Sequence, residues 1–425
     1  MNKKIILLAM ICLLAHHMFA QKELVKELNK NIIELKTISP EDDFDDLKGI
    51  SEFVKNKKLI GLGEATHGTS EFFLYKHRMM KYLAMHEGYR LFIIEGDFSG
   101  SKAMNDYVLH GKGSIKDGLK ELDYGVWYRQ EFVAFIEWIK AFNVDRDLED
   151  KIRFYGCDIN SEYGVSRKLK KYLAHHDCLT DKLTQYLNMI IEQDLLKLLS
   201  EKGDNWKDEV LGELNTAFAK LKDKQSKEYD FMLHCKRELE QNFELRMDNA
   251  KNWIVLRDKF MAENIAWICE FEQNRKAVFW AHNEHVKNDK AKSVQKPVGY
   301  YLKEKFGEQY YSFGFGFNNG DIIGFNRTKR AFDSFGVPAI SPKKSSDAVF
   351  ALCKFENFIF DVRSAKENEK INKFIHDNLY HRAVGTIFAA EGKKRHHFRI
   401  GRLADRFDGI IFIRNTSAAK VIESW

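Results

Sequence analysis

The chain's most constraining feature is an alternation. Four short apolar runs, at 58–62, 90–94, 152–157 and 277–280, are each followed by a polar turn and then by sequence with helical spacing. Runs of this length, rich in Ile, Val, Leu and Phe, suit strands buried on both faces. Strands interleaved with amphipathic helices predict a largely parallel sheet covered by helices.

The rest of the chain elaborates that plan. No proline occurs between Pro40 and Pro297, and from Val165 to Ile268 glycine is reduced to Gly203 and Gly212. Charged residues alternate there with Leu, Met and Phe, which predicts several long helices inserted between the third and fourth strands, at about 163–270. Such an insertion would either cap the crevice at the strand ends or cover the back of the sheet. A short helix is expected at 23–35. In the C-terminal third, runs at 310–317 and 321–326 flank Asn318-Asn319-Gly320, the signature of a hairpin turn. Further strands are expected at 357–362, 383–388 and 409–413. The expected fold class is α/β: one domain over 21–425 with a largely parallel central sheet flanked by helices, a long helical insertion and a mixed C-terminal part.

Residues 1–20 read as a secretory signal. Lys3 and Lys4 precede an apolar stretch at 5–15, and Phe19-Ala20-Gln21 is a cleavage site with a small residue before the cut. The expected location is therefore periplasmic or secreted, with no integral membrane segment once the signal is removed. Five cysteines, Cys157, Cys178, Cys235, Cys269 and Cys353, lie beyond it, widely spaced and without a CxxC pair. That pattern is neither a disulfide framework nor a zinc knuckle. A net charge of +6 over 425 residues, with no basic arm, argues against nucleic acid as a partner.

Chemistry-bearing residues gather where the strands end. The first strand leads into Gly63-Glu64-Ala65-Thr66-His67-Gly68, the second into Glu95-Gly96-Asp97, the third into Asp158, and the fourth into His282-Asn283-Glu284-His285. In a parallel sheet these ends share one edge, which opens onto a crevice where active sites form. A neutral imidazole at His67 can take a proton from water, with Glu64 or Glu95 fixing its tautomer. Gly63 and Gly68 would ease the turn around the pair. The plainer alternative is that His67 caps the following helix and Glu64 bonds the loop. His282 and His285 could polarise a carbonyl or protonate a leaving alkoxide. With Glu64, His67 and Glu95 they could also hold zinc or manganese. The H-x-x-H spacing is not that of zinc proteases, and no P-loop, dinucleotide loop or nucleophile-elbow serine is present, so activated water is the natural nucleophile.

These motifs, together with Glu71, Trp127 through Trp138, Asn143, Phe154-Tyr155-Gly156-Cys157-Asp158, Arg257-Asp258, Met261-Ala262-Glu263-Asn264, Gly299 and Phe407-Asp408-Gly409, resemble the erythromycin esterase family. The resemblance runs from Leu59 to the C-terminus. It implies an α/β fold with a helical insertion and hydrolysis of an ester, a macrolide lactone in the best-known members. It also implies that His67 acts as general base on water, that Glu64 and Glu95 support it, and that His282 and His285 complete the site. Some relatives carry a label linked to succinoglycan synthesis. The expectation is a carboxylic ester hydrolase acting on a small-molecule ester or lactone, with a macrolide such as erythromycin one candidate and with no cofactor. The alternatives are a divalent-metal hydrolase using the same cluster and a non-catalytic envelope protein that binds a ligand there.

Overall fold

The computed structural model describes residues 19–223, 226–247, 253–289, 295–339, 344–388 and 397–422. The proposed signal at 1–20 thus falls, up to residue 18, outside the described residues. Among the described residues nine strands form one sheet: β1 (Ile32–Glu34), β2 (Leu59–Leu62), β3 (Leu91–Asp97), β4 (Arg153–Asp158), β5 (Ala277–Trp280), β6 (Tyr310–Asn326), β7 (Ala331–Val337), β8 (Asn357–Asp361) and, last of them, Gly409–Thr416. Between the last two, β9 (Leu379–Arg382) and β10 (Phe398–Gly401) make a separate antiparallel ribbon, so Gly409–Thr416 is β11. The order across the sheet is β1-β8-β11-β6-β2-β5-β3-β4, with β7 paired to β6. From β11 to β4 every neighbour on that path is parallel; β1, β8 and β7 add the antiparallel pairings.

Strict side-chain alternation divides the apolar runs between two cores. Ile60, Leu62, Phe92, Ile94, Val278 and Trp280 face a layer that includes the helices Ser70–His86 and Gln130–Asn143. Leu59, Leu91, Ile93, Ala277 and Phe279 face the inserted helices. Both faces of β2, β3 and β5 are therefore covered, which explains why their sequences are nearly continuous apolar runs. The insertion comprises the helices Glu162–His175, Asp181–Glu192, Leu195–Ala219, Lys227–Met247 and Trp253–Phe271. It packs as a layer on one sheet face, and its final helix reaches the strand ends. Gly203 breaks the helical path within Leu195–Ala219 with φ 75°.

Three local expectations are overturned. Asn318-Asn319-Gly320 is no hairpin: it lies inside β6, one strand of 17 residues. The backbone finds partners on either side instead of folding on itself. Phe313–Gly320 pairs in parallel with β11, then Gly320–Asn326 pairs antiparallel with β7, so Gly320 marks a change of neighbour. Its φ of 137° and the approach of the Thr416 carbonyl, 2.0 Å from where a Cβ would stand, require glycine there. The hairpin turn lies at 327–330. The second half of the helix expected at 23–35 is β1, drawn out of helical geometry by its antiparallel pairing with β8. The strand expected at 383–388 falls after β9, with only Ile387 forming an isolated bridge to Phe325.

Candidate active site

Adjacent parallel strands in the order β2-β5-β3-β4 bring four polar strand ends to one edge, with Leu62, Trp280, Ile94 and Gly156 in register. The turn after β2 is shaped by close packing. A Cβ on Gly63 would stand 2.2 Å from Asn283 Oδ1, and one on Gly68 1.9 Å from the Ile323 carbonyl. Neither glycine has positive φ. They are needed for room, not for a left-handed turn. Asn283 bonds the backbone of Phe315 with both side-chain atoms, 2.7 and 3.0 Å, and its own N–H donates to the Glu64 carbonyl at 2.8 Å. The Gly68 carbonyl accepts N–H groups from Ile323 and Ala419, both at 2.9 Å, and the Ala65 carbonyl accepts that of Val384 at 2.6 Å. The turn is therefore held by several distant segments.

His67 Nδ1–H donates to Glu64 Oε1 at 2.6 Å, and both groups are buried. The other carboxylate oxygen accepts from the Lys76 ammonium at 2.6 Å and the Trp280 indole N–H at 2.7 Å. Burial alone would raise the Glu64 carboxyl; Lys76 and His67 overcome it and hold it down at about 2. Burial pulls Lys76 down to about 8 against the attraction of Glu64, so the two remain an ion pair at neutral pH. Lys76 also lies 4.2 Å from the Trp280 ring centroid, a cation–π contact that eases its burial. With a carboxylate on Nδ1, the neutral ring presents an unprotonated Nε2, the form a general base requires.

His282 has the opposite polarity. Its Nδ1 accepts the Glu284 N–H at 3.2 Å, capping the short helix Asn283–Val286, so its proton sits on Nε2. That Nε2 is buried and has no hydrogen-bond partner among the described residues. Burial, with the neighbouring His67, lowers His282 to about 4, which keeps the ring neutral. The His67 and His282 ring centroids are 5.1 Å apart. A buried, unsatisfied N–H beside a second imidazole is costly unless a ligand accepts from it.

Glu95 and His285 belong to an ionic cage. Glu95 Oε2 accepts the His282 backbone N–H at 3.0 Å; Oε1 accepts from Arg257 at 2.9 Å and from His285 Nε2 at 3.3 Å. Arg257 also grips Asp158, at 3.0 Å through Nε, and Asp258 Oδ1 takes His285 Nδ1–H at 2.7 Å. Burial works against charge on His285, but Asp258 and then Glu95 raise it to about 10. Against burial, His285 and Arg257 hold the Glu95 carboxyl well below the usual range. Arg257 Nη1 approaches His285 Nε2 to 3.3 Å, a contact between two cations made tolerable by the three surrounding carboxylates.

Of the other strand-end groups, Asp97 caps the Gly100 N–H at 2.6 Å and accepts from Ser99 at 3.0 Å, while Glu284 pairs with Arg406 and Lys287. Both organise loops. Sequence reasoning gave no role to Lys76, Asp258 or the Trp280 indole, and it quoted Arg257 only as part of a motif. Two of them carry a signal in the sequence. Lys76 falls in the apolar stripe Phe72, Phe73, Met79, Met80 and Leu83 of its helix, and Arg257 in the stripe with Met261, Ile265 and Ile268. An open groove of about 780 Å³, lined among others by Lys102, Glu121, Arg167 and Lys168, contains none of the site groups, and Lys168 there is paired with Glu121.

Comparison with known proteins decides the family. The sequence profile described as erythromycin esterase matches residues 84–416. The chain belongs to the erythromycin esterase family. The matched region begins after the Gly63–Gly68 turn, but longer likenesses include that turn. The Escherichia coli protein named erythromycin esterase type II is 22% identical over 435 residues, covering 92% of this chain and 97% of its own. A crystal structure of a Bacillus cereus protein superposes with a TM-score of 0.82 at 25% identity, covering 95% of this chain and 99% of that one. A crystal structure described as a succinoglycan biosynthesis protein gives 0.81 at 25% identity with the same coverage. These likenesses and the family point to a hydrolase with a small-molecule substrate. No helix among the described residues is long and apolar enough to cross a membrane.

Proposed function

We propose that this protein hydrolyses an ester or lactone bond with water activated by His67. The observation that carries the reading is the juxtaposition of two imidazoles of opposite polarity: His67, with Nδ1 committed to Glu64, and His282, with a proton on a buried Nε2 that has no partner among the described residues. His67 Nε2 takes a proton from water as the oxygen attacks the carbonyl carbon. The carbonyl π pair moves onto its oxygen, where His282 Nε2–H stabilises the charge. Collapse of the tetrahedral species breaks the bond to the leaving alkoxide, which takes the proton held by His67. Glu64, kept ionised by Lys76, steadies the imidazolium between these steps. Glu95 acts through its bond to the His282 backbone. His285, with both nitrogens on carboxylates, supports the cage in this reading and does not deliver the proton.

A divalent-metal mechanism using the same residues is the second reading. The donor chemistry argues for the first. Glu64 and Glu95 oxygens already accept N–H groups from Lys76, Trp280, Arg257 and His67, and His285 is protonated on both nitrogens. Among the described residues no three His, Cys, Asp or Glu side chains are arranged to hold a metal ion. Macrolides are a candidate substrate because the E. coli relative bears that activity in its name; at 22% identity an unrelated ester is an equal candidate. Export as a periplasmic or secreted enzyme accords with the segment at 1–20, and the N-terminal mass of the mature protein tests it. The deciding assay measures turnover of aryl esters, lactones and several macrolides, with His67→Ala as control and elemental analysis of the same preparation. Turnover that depends on His67 without stoichiometric metal supports the proposal. Ligand binding without turnover by any ester would replace it with a binding role.

A further inference from the structure

We infer that Tyr124 is a second hydrogen-bond donor to the carbonyl oxygen of the substrate, sharing with His282 the charge that develops there. The inference rests on the hydrolytic reading of the same site. Two aromatic rings border the His67 imidazole: His282, with centroids 5.1 Å apart, and Tyr124, edge-on at 6.4 Å and 68°. His282 is buried, whereas Tyr124 is half-buried and so reaches solvent beside the same imidazole.

The phenol is held on a rigid frame. The Tyr124 carbonyl accepts the Trp127 N–H at 3.1 Å, and the Trp127 indole donates to the Glu95 carbonyl at 3.0 Å. Its oxygen lies 3.4 Å from the Thr386 hydroxyl, long for an O–H···O bond, so the phenolic proton is not firmly engaged. Thr386 is fixed in turn: its carbonyl accepts the Phe325 N–H at 2.7 Å, two residues beyond the Val384 N–H that bonds the His67 turn. Burial, and then the Glu95 carboxylate, push the phenol above its ordinary range, so it stays a donor throughout the working pH.

The chemistry of the step asks for such a group. When water attacks, the carbonyl oxygen gains a full negative charge. The cations of the site, Lys76, Arg257 and His285, are spent on Glu64, Glu95, Asp158 and Asp258. His282 offers one N–H, and Tyr124 supplies a second donor against the same imidazole. Losing one donor of an oxyanion hole typically lowers kcat about 10²–10³-fold.

The test is Tyr124→Phe in the full chain, assayed beside wild type and His67→Ala on p-nitrophenyl acetate. The expected result is a fall in kcat of about 10²-fold with KM changed less than about threefold. The acid limb of the pH–rate profile should stay in place, because the base is untouched. A trifluoromethyl ketone, whose hydrate carries the oxyanion, should bind Tyr124→Phe more weakly by a similar factor, a readout that loss of structure alone would not separate from substrate affinity. Tyr124→Phe turning over within about twofold of wild type while His67→Ala is dead would overturn the role of Tyr124 and leave the hydrolytic reading standing. Wild type inactive on every ester and lactone would overturn both.

Discussion

Two histidine–carboxylate pairs stand at neighbouring strand ends, and they are built for opposite purposes. In Glu64–His67 the carboxylate charge is largely matched by Lys76, and only one imidazole nitrogen is committed. In Glu95–His285 the ring lies between two carboxylates, with both nitrogens engaged. The second arrangement drives His285 to about 10 and makes it a permanent cation at neutral pH. A permanent cation can pin a backbone but cannot accept a proton. The comparison teaches that an acid beside a histidine makes a base only when its charge is partly balanced and the far nitrogen is left open.

The comparison can be broken or sharpened by removing each unit's cation. The largest effect is expected from Arg257→Met, which leaves Glu95 and Asp158 buried without their shared partner. Breaking such a buried pair costs about 3–5 kcal/mol, read as a loss of stability in urea denaturation. Lys76→Met should make the first unit resemble the second. With the Lys76 charge gone, protonation of His67 is favoured, so the acid limb of kcat/KM should move to higher pH by about one unit or more. An unmoved limb would mean that Lys76 does not govern the base.

Stability against pH separates the pairs further. His285 is raised from 6.5 to about 10, so its contribution is complete below about 6.5 and is lost as pH rises toward 10. Glu64 is lowered from 4.5 to about 2, so its contribution is present above about 4.5 and lost as pH falls toward 2. Each slope is bounded at about 1.4 kcal/mol per pH unit for one proton. Thermal melts of wild type and His285→Gln from pH 7 to 10 should show a steeper alkaline loss in wild type than in the variant.

The smallest effect concerns a third arrangement, two carboxylates without an ion pair among the described residues. Asp97 and Glu238 are fully buried, and Asp97 Oδ2 and both Glu238 oxygens have no hydrogen-bond partner among the described residues. Burial raises both, Asp97 to about 7, and the Asp97 charge raises Glu238 further. An acid with a raised folded value loses stability as pH climbs through that value. Glu238→Gln should therefore stabilise the protein at pH 8, by about 1 kcal/mol or less, and change little at pH 5.

The strand-end clusters were legible in the sequence because a parallel sheet carries all its carboxyl ends to one edge, whatever the chain distance between them. Glu64, His67, Glu95, His282 and His285 meet for that reason. What could not be read was the division of labour among them. It depends on Lys76, Arg257 and Asp258, which approach from helices rather than strand ends, and on Tyr124, carried by a loop. Lys76 and Arg257 could have been flagged as cations inside apolar stripes. The hairpin expected at Asn318-Asn319-Gly320 failed because turn preference is a local signal, and pairing with β11 and β7 outweighed it. Likewise β1 took the sheet edge offered by β8 in place of a helix.

The account stands most directly on kcat for His67→Asn measured against wild type on an aryl ester, with the unfolding midpoint recorded for both. The predicted result is a loss of at least about 10²-fold at an unchanged midpoint. Turnover near the wild-type rate would show that the imidazole bonded to Glu64 is not the base.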